Sequence, residues 1–427
     1  MRNEPYCGAA AVPERARGIR CVALVLLLAL GACVAPPRQD VPPAGPASSA
    51  SAVQATAQPA PAPVLVLPFD EAVLGAADAL FSGAALPEPG PSGRHPLVID
   101  PLIDGATGFQ SAATRSMQSR IVELARAKYP RFEVREFTTA SVAEAPLVLV
   151  GSLAGIDKAG KVRPGPEAYR VWLVLADLKS GKIVGKGTAR AAVGGVDVTP
   201  TPFFGESPAW AKDRYVEAYL ATCGGKVGDP IDPAYIDGIL AAATIGDATE
   251  AYDAGRFREA LALYESAAGT PAGDQLRVHN GLYLANRRLG RRVEAEAAFD
   301  RLVDYGLRGD ALAVRFLFKP ATTLFWPPEL AETYPMWLER IARRAAQRDA
   351  CLEVVGHTSP SGSAAVNDRL SLLRADHVAS RLRALEPRLD GRLVADGAGS
   401  RENVVGTGAD DVTDALDRRV EFKTFRC

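Results

Sequence analysis

The sequence predicts a multi-domain α+β protein: an N-terminal α+β domain, a short α-helical repeat segment and a C-terminal α/β sandwich, set behind a leader and a linker. Three observations carry this prediction. A short apolar run follows arginines near the start, a motif returns with a period of thirty-five in the middle, and strand-like and helix-like segments alternate on either side of that motif. With 48% hydrophobic residues the chain can build sizeable cores, and a formal net charge of -1 gives neither a nucleic-acid signature nor a polybasic membrane patch.

Arg15, Arg17 and Arg20 precede an apolar run over residues 21–30. At about ten residues the run is too short to span a bilayer, so it is expected to be the core of a signal peptide covering residues 1–32. The run ends in Leu30-Gly31-Ala32-Cys33, which resembles a bacterial lipobox. That resemblance implies cleavage before Cys33 and lipidation of Cys33 as the new first residue. It also implies the periplasmic face of the outer membrane, because Val34 replaces the Asp that serves as the inner-membrane retention signal in Gram-negative bacteria. Residues 33–62 are Pro, Ala, Ser and Gln with almost no large apolar side chain, which predicts an extended linker reaching about 3 Å per residue.

Residues 63–226 are expected to form the first α+β domain. Residues 96–99, 147–150 and 169–175 are apolar runs of strand type, and Ala113, Met117, Ile121 and Leu124 make a helical stripe between the first two. Residues 182–189, after the Ser180-Gly181 turn, give a further antiparallel strand. Gly105-Ala106-Thr107-Gly108 lacks the Gly-Lys-Ser/Thr of a phosphate loop and is expected to be a turn. The segment 197–204 carries Phe203 and Phe204 in a Pro-rich stretch, with Trp210 close behind: either a partner-docking loop or a loop folded over its own domain.

Over residues 230–312, Gly255-Arg256 returns as Gly290-Arg291, Glu259-Ala260 as Glu294-Ala295, and Tyr264 as Phe299. This spacing resembles the tetratricopeptide repeat, whose period is about 34 residues. Two copies rarely bury a continuous core, so a helix marked by Ile236, Leu240 and Ala243 is expected to complete the stack. The resemblance implies either a protein-binding groove or a spacer packed on its neighbours.

In residues 313–427, the apolar segment 314–318 precedes a helix expected over 328–346, and the run 352–355 stops at Gly356. Residues 359–363 have turn chemistry, with Ser363 placed to cap a helix over 364–385. On that helix Val366, Leu370 and Leu373 recur at helical spacing and predict its apolar face. Residues 392–395 and 419–425 supply two more strands. The order strand, helix, strand, helix, strand, strand predicts an α+β sandwich with helices on one sheet face.

Within that frame lie Gly356-His357-Thr358, then Asn367-x-x-Leu370-Ser371-x-x-Arg374-Ala375, then Arg418-Arg419-Val420-Glu421. Together they resemble the OmpA-like C-terminal domain, a periplasmic module that in its family binds peptidoglycan. In that family an Asp directly after Gly-His-Thr holds the amino group of the wall peptide's diamino acid, and the helix Arg pairs with its carboxylate. The resemblance therefore implies that Arg374, Ser359, Thr358, Asn367 and Arg419 form the peptidoglycan site, with Thr358 and Asn367 ordering the loop. Two departures matter. Ser359 stands in place of the Asp, and a neutral hydroxyl instead of a carboxylate removes about 1 to 2 kcal/mol from binding of an ammonium group. Asp417-Arg418-Arg419 stands where the family has Asn-Arg-Arg.

Of six cysteines, Cys223, Cys351 and Cys427 follow the lipobox. In an oxidising periplasm Cys351 and Cys427, at the ends of two strands of one domain, are expected to form a disulfide, the alternative being two buried thiols. None of the four histidines has metal-helix spacing, His357 and Ser359 lack an oxyanion motif, and no cofactor motif is present, so the chain is not expected to be an enzyme. Two readings of function remain. One is an outer-membrane lipoprotein that binds peptidoglycan noncovalently and presents its upstream domains to an envelope protein partner. The other is a periplasmic scaffold or regulator of envelope assembly that binds peptidoglycan weakly or not at all.

Overall fold

The computed structural model describes residues 65–427 apart from positions 91, 145, 164, 310, 311, 407 and 409–412. The leader, Cys33 and the linker lie outside the described residues.

The first sheet comprises β1 (Val66–Leu67), β2 (His95–Ile99), β3 (Ile103–Asp104), β4 (Phe132–Val134), β5 (Leu147–Ile156), β6 (Ala168–Asp177) and β7 (Lys182–Ala191). Its order is β1-β7-β6-β5-β2-β4, with β3 beside β5. Strands β5, β6 and β7 form an antiparallel meander, while β2 pairs in parallel with both β4 and β5. Helices α1 (Phe69–Gly83) and α2 (Ala112–Lys128) cover one face, where Leu97, Ile99, Leu149 and Leu173 are buried with Ala76, Leu80 and Met117. The intervening residues Val98, Val148, Val150 and Val174 point the other way. That alternation, with both faces covered, explains why these strands are nearly continuous apolar runs in sequence. Between β4 and β5 lies the short α3 (Thr139–Ala143). Ser111 starts α2 by accepting the Thr114 N–H, while its own N–H reaches the Thr114 hydroxyl at 2.9 Å.

The Pro-rich segment folds inward. Its Phe203 and Phe204, on α4 (Pro202–Glu206), are buried with Trp210 against Phe109, Tyr252 and Tyr264.

Helices α5 (Arg214–Gly224) and α6 (Pro233–Asp253) close the second face of the first sheet, and α7 (Phe257–Ala268), α8 (Leu276–Arg288) and α9 (Arg292–Arg308) follow. The period of thirty-five is two helical hairpins: Gly255 and Gly290 end α6 and α8 with φ of 76° and 69°, a left-handed turn that glycine adopts without cost to a side chain. Ala260 and Tyr264 occupy the same buried positions in one hairpin as Ala295 and Phe299 in the other. Ile236 and Leu240, expected to mark the buried face of α6, are exposed. Ala243, the third residue of that set, is buried, and Tyr235 and Ile239 face the sheet with it, because that face must fit against Val216, Tyr219 and the valines of β5.

The second sheet contains β8 (Phe316–Leu317), β9 (Cys351–Gly356), β10 (Leu393–Gly397) and β11 (Arg419–Phe425), in the order β10-β9-β11-β8. Strand β10 runs parallel to β9, and β11 runs antiparallel to β9 and β8. Its helices are α10 (Pro328–Ala331), α11 (Tyr334–Gln347) and α12 (Ala364–Leu385). Cys351 and Cys427 are disulfide-bonded with Cα atoms 5.4 Å apart, and Cys223 is a buried free thiol. The fold class is multi-domain α+β.

One apolar core runs from the α4 aromatics through the hairpins to Phe422 on β11. Trp337 on α11 stacks on Phe299 of α9 at 5.4 Å and donates its indole N–H to the Tyr283 hydroxyl at 2.8 Å. Flanking this contact, Arg340 and Arg343 pair with Asp300, and Arg344 and Arg348 with Asp304. A backbone seam adds to it. Trp210 N–H donates to the Ala313 carbonyl and Arg315 N–H to the Pro208 carbonyl, each at 2.9 Å, while the Asn280 side chain bonds both main-chain groups of Ala209. Among the described residues no helix is long and apolar enough to cross a membrane.

Candidate functional site

Helix α12 lies unusually close to the second sheet where β9 and β10 end. A Cβ added at Gly356 would sit 1.9 Å from the Ser371 carbonyl oxygen, and one at Gly397 would sit 2.7 Å from the Ser371 hydroxyl. Only a small residue fits on the facing turn, and Ser371 is fully buried there, donating to the Asp368 carbonyl and accepting the Gly399 N–H. Asn367 and Arg374 share that buried face. Of the stripe expected to be apolar, Val366 is 60% and Leu373 48% exposed, while Leu370 is half-buried. The first half of α12 thus turns polar side chains toward the sheet, and its apolar burial begins only at Ala375, Val378 and Leu382.

The fold brings Thr358, Ser359, Asn367 and Arg374 to this end of β9. Arg374 is fully buried, and its guanidinium donates to three main-chain carbonyls: Thr322 at 2.9 Å, His357 at 2.9 Å and Lys319 at 3.1 Å. The face of Phe318 lies 5.3 Å away. The side chain therefore braces the loop after β8 against the end of β9. Thr358 holds the Gly399 carbonyl through its N–H at 2.8 Å and receives the Asn403 amide on its own carbonyl at 2.7 Å. Its hydroxyl oxygen is buried and has no hydrogen-bond partner among the described residues. The Ser359 hydroxyl lies 3.0 Å from that of Ser361.

Arg419 is placed differently. Its guanidinium pairs with Glu421 at 2.9 Å and with the Glu402 carbonyl at 3.2 Å, on the far side of the His357 main chain. Asp417 organises the neighbouring loop, accepting the N–H groups of Val404, Val405 and Gly406 on its two oxygens. Burial raises its pKa despite these three donors. The carboxylate is thus chemically specific: Oδ2 takes the Gly406 N–H, where the amide of an Asn would offer a donor. Asn403 and Asp417 were not singled out for this role in the sequence, since neither has a spacing signal and both act through main chain.

His357 is fully buried, with Nε2 3.2 Å from Glu421 and Nδ1 4.0 Å from Glu402, both outside hydrogen-bond alignment. Burial lowers its pKa, against the opposing pull of Glu421. The three residues bring possible ligand atoms within 4.8 Å of one another. Yet Glu421 is already gripped by Arg419 on both oxygens, with Arg315 3.9 Å away. The arrangement has the chemistry of an ion-pair network more than that of a metal centre.

No protein-family model and no curated protein matches the chain. Among solved structures, it is similar in part to the peptidoglycan-associated lipoprotein from Burkholderia pseudomallei, at 20% identity over 26% of this chain and 89% of that one, TM-score 0.23. A second is the cell wall anchor of the T6SS from Pseudomonas aeruginosa, at 31% identity over 26% of this chain and 76% of that one, TM-score 0.21. A third is the C-terminal domain of Helicobacter pylori MotB, at 20% identity over 26% of this chain and 84% of that one, TM-score 0.21.

Proposed function

We propose that the chain is a noncatalytic, lipid-anchored outer-membrane protein that associates with peptidoglycan through the end of β9 and carries its upstream domains into that setting. The observation that supports it most is that four polar residues, Thr358 and Ser359 just after β9 and Asn367 and Arg374 on α12, are buried, with the Thr358 hydroxyl lacking a partner among the described residues. A buried hydroxyl without a bond is costly, and a ligand hydrogen bond would relieve it. In this reading Arg374 supplies positive charge beneath the loop and fixes the His357 carbonyl, while Thr358 and Ser359 meet the wall peptide. Cys33 carries the lipid, and the groove or spacer formed by the helical hairpins faces a protein partner.

Co-sedimentation with isolated sacculi tests this. The protein is expected to pellet with sacculi, and Ser359→Asp, which restores an opposite charge for an ammonium group, is expected to strengthen retention about tenfold. Failure of the parent protein to pellet would sink the reading. Release of Cys33→Ser from the membrane fraction tests the anchor separately.

A further inference from the structure

A cleft of about 340 Å³ opens where the first sheet meets the second, and Thr358, Ser359, Asn367 and Arg374 are not among its lining residues. Arg315 is one of its lining residues. This guanidinium lies 4.2 Å above the Trp210 ring and donates one N–H to the Trp210 carbonyl at 3.0 Å. Its Nε and Nη1 atoms are buried without a hydrogen-bond partner. Glu421, the adjacent carboxylate, is 3.9 Å from Nε and already paired with Arg419. Buried guanidinium donors rarely stay unsatisfied, and Arg315 is a lining residue of the cleft, so an acceptor entering there would meet this side chain. Burial lowers the pKa of Arg315 to about 9, which leaves it a cation at neutral pH.

The remaining lining narrows the chemistry. Arg163 and Lys212 stand exposed at the cleft, and the one carboxylate among its described lining residues, Asp104, has its Oδ1 closed on the Ala106 and Thr107 N–H groups. Three cations against one carboxylate favour an anion, and the presence of Asp104 disfavours a dianion. Trp210 and the buried Tyr169 offer aromatic surface to an apolar body. The volume is at the small end for ligand pockets.

We propose that this cleft binds a monocarboxylate with a compact apolar body, the chemistry of an acylated amino acid or a peptide C-terminus, with its carboxylate on Arg315 and its body against Trp210 and Tyr169. The test uses the full-length chain in detergent with N-acetylphenylalanine, its amide, and the tetrapeptide acetyl-Ala-Ala-Ala-Phe, read by ligand-observed NMR and calorimetry. At least one acid is expected to bind, and its amide at least tenfold more weakly. A preference for the longer acid identifies a peptide terminus, and a preference for the shorter one an acylated amino acid. Arg315→Gln is expected to lower affinity about tenfold. Val162→Trp, at an exposed lining position, is expected to block the cleft while leaving sacculus binding unchanged. Should Arg315→Gln fail to fold, Val162→Trp and Lys212→Ala decide alone, since both positions are exposed. Absence of binding at millimolar acid, equal binding of acid and amide, or unchanged affinity in the cleft variants would overturn the proposal.

Discussion

Asp100 is a carboxyl group in an apolar wall: it is buried beside the second face of the first sheet and accepts the Tyr235 hydroxyl at 2.7 Å. Burial pushes its pKa up to about 6, against 3.8 for a free carboxyl. The folded state therefore holds this proton more tightly than the unfolded chain does. Stability from this group is complete below about pH 4 and is lost as pH rises to about 6, a swing of about 3 kcal/mol. Urea midpoints at pH 4 and pH 7 are expected to show this loss in the parent and not in Asp100→Asn; identical pH slopes would refute the assignment. Asp417 teaches a related point about chemical identity. With three main-chain N–H groups on its carboxylate, Asp417→Asn is expected to leave Gly406 unsatisfied and cost about 1 to 3 kcal/mol, with faster amide exchange at residues 404–406.

At the scale of elements, α12 decides the site. Its approach to Gly356 is too close for any side chain, so Gly356→Ala is expected to destabilise by about 1 to 3 kcal/mol and to weaken sacculus binding together with it. Gly205→Ala, where nothing lies within 4 Å, is the control, and equal denaturation midpoints for the two would count against the account. The same contact explains what was legible in sequence. The strands and helices of the second sheet were foreseen, except that the helix expected over 328–346 is broken into α10 and α11, because most are punctuated by Gly, Ser or Pro and carry apolar runs of the right length. The buried face of α12 was not, since periodicity ranks Val366 and Leu373 above Ser371, and only the three-dimensional closeness of Gly356 reverses that ranking. Helix α1 went unread for a similar reason: its buried positions include Ala72, Ala76 and Ala77, which carry little hydrophobic contrast. The resemblance named Thr358, Ser359, Asn367 and Arg374 as candidates, but residue identity did not reveal the burial of Arg374. Its three acceptors are carbonyls of a loop some fifty residues upstream or of His357, and main-chain acceptors leave no trace in residue type.

Across the whole molecule, the hairpins and the second sheet share one core and do not meet through a linker. Trp337 joins them, and Trp337→Ala is expected to cost about 3 to 5 kcal/mol. Hydrogen exchange should then rise in α9 and α11 together; a rise confined to α11 would show that the two modules are energetically separate. Asp304 adds a pH-dependent part. Burial alone would raise its pKa, but hydrogen bonds from Arg344 and Arg348 prevail and lower it, so its contribution fades as acidity increases.

The disulfide gives the second sheet a further property. Every residue of the proposed wall site lies within the stretch of chain that Cys351 and Cys427 enclose. A single proteolytic cut between them opens a ring without severing the molecule, so both halves of the site stay covalently attached and free to re-pair. The same cut in a hairpin turn of the helical segment yields two fragments joined only by noncovalent contacts. Proteolytic clipping would thus be tolerated around the proposed site and damaging upstream of it.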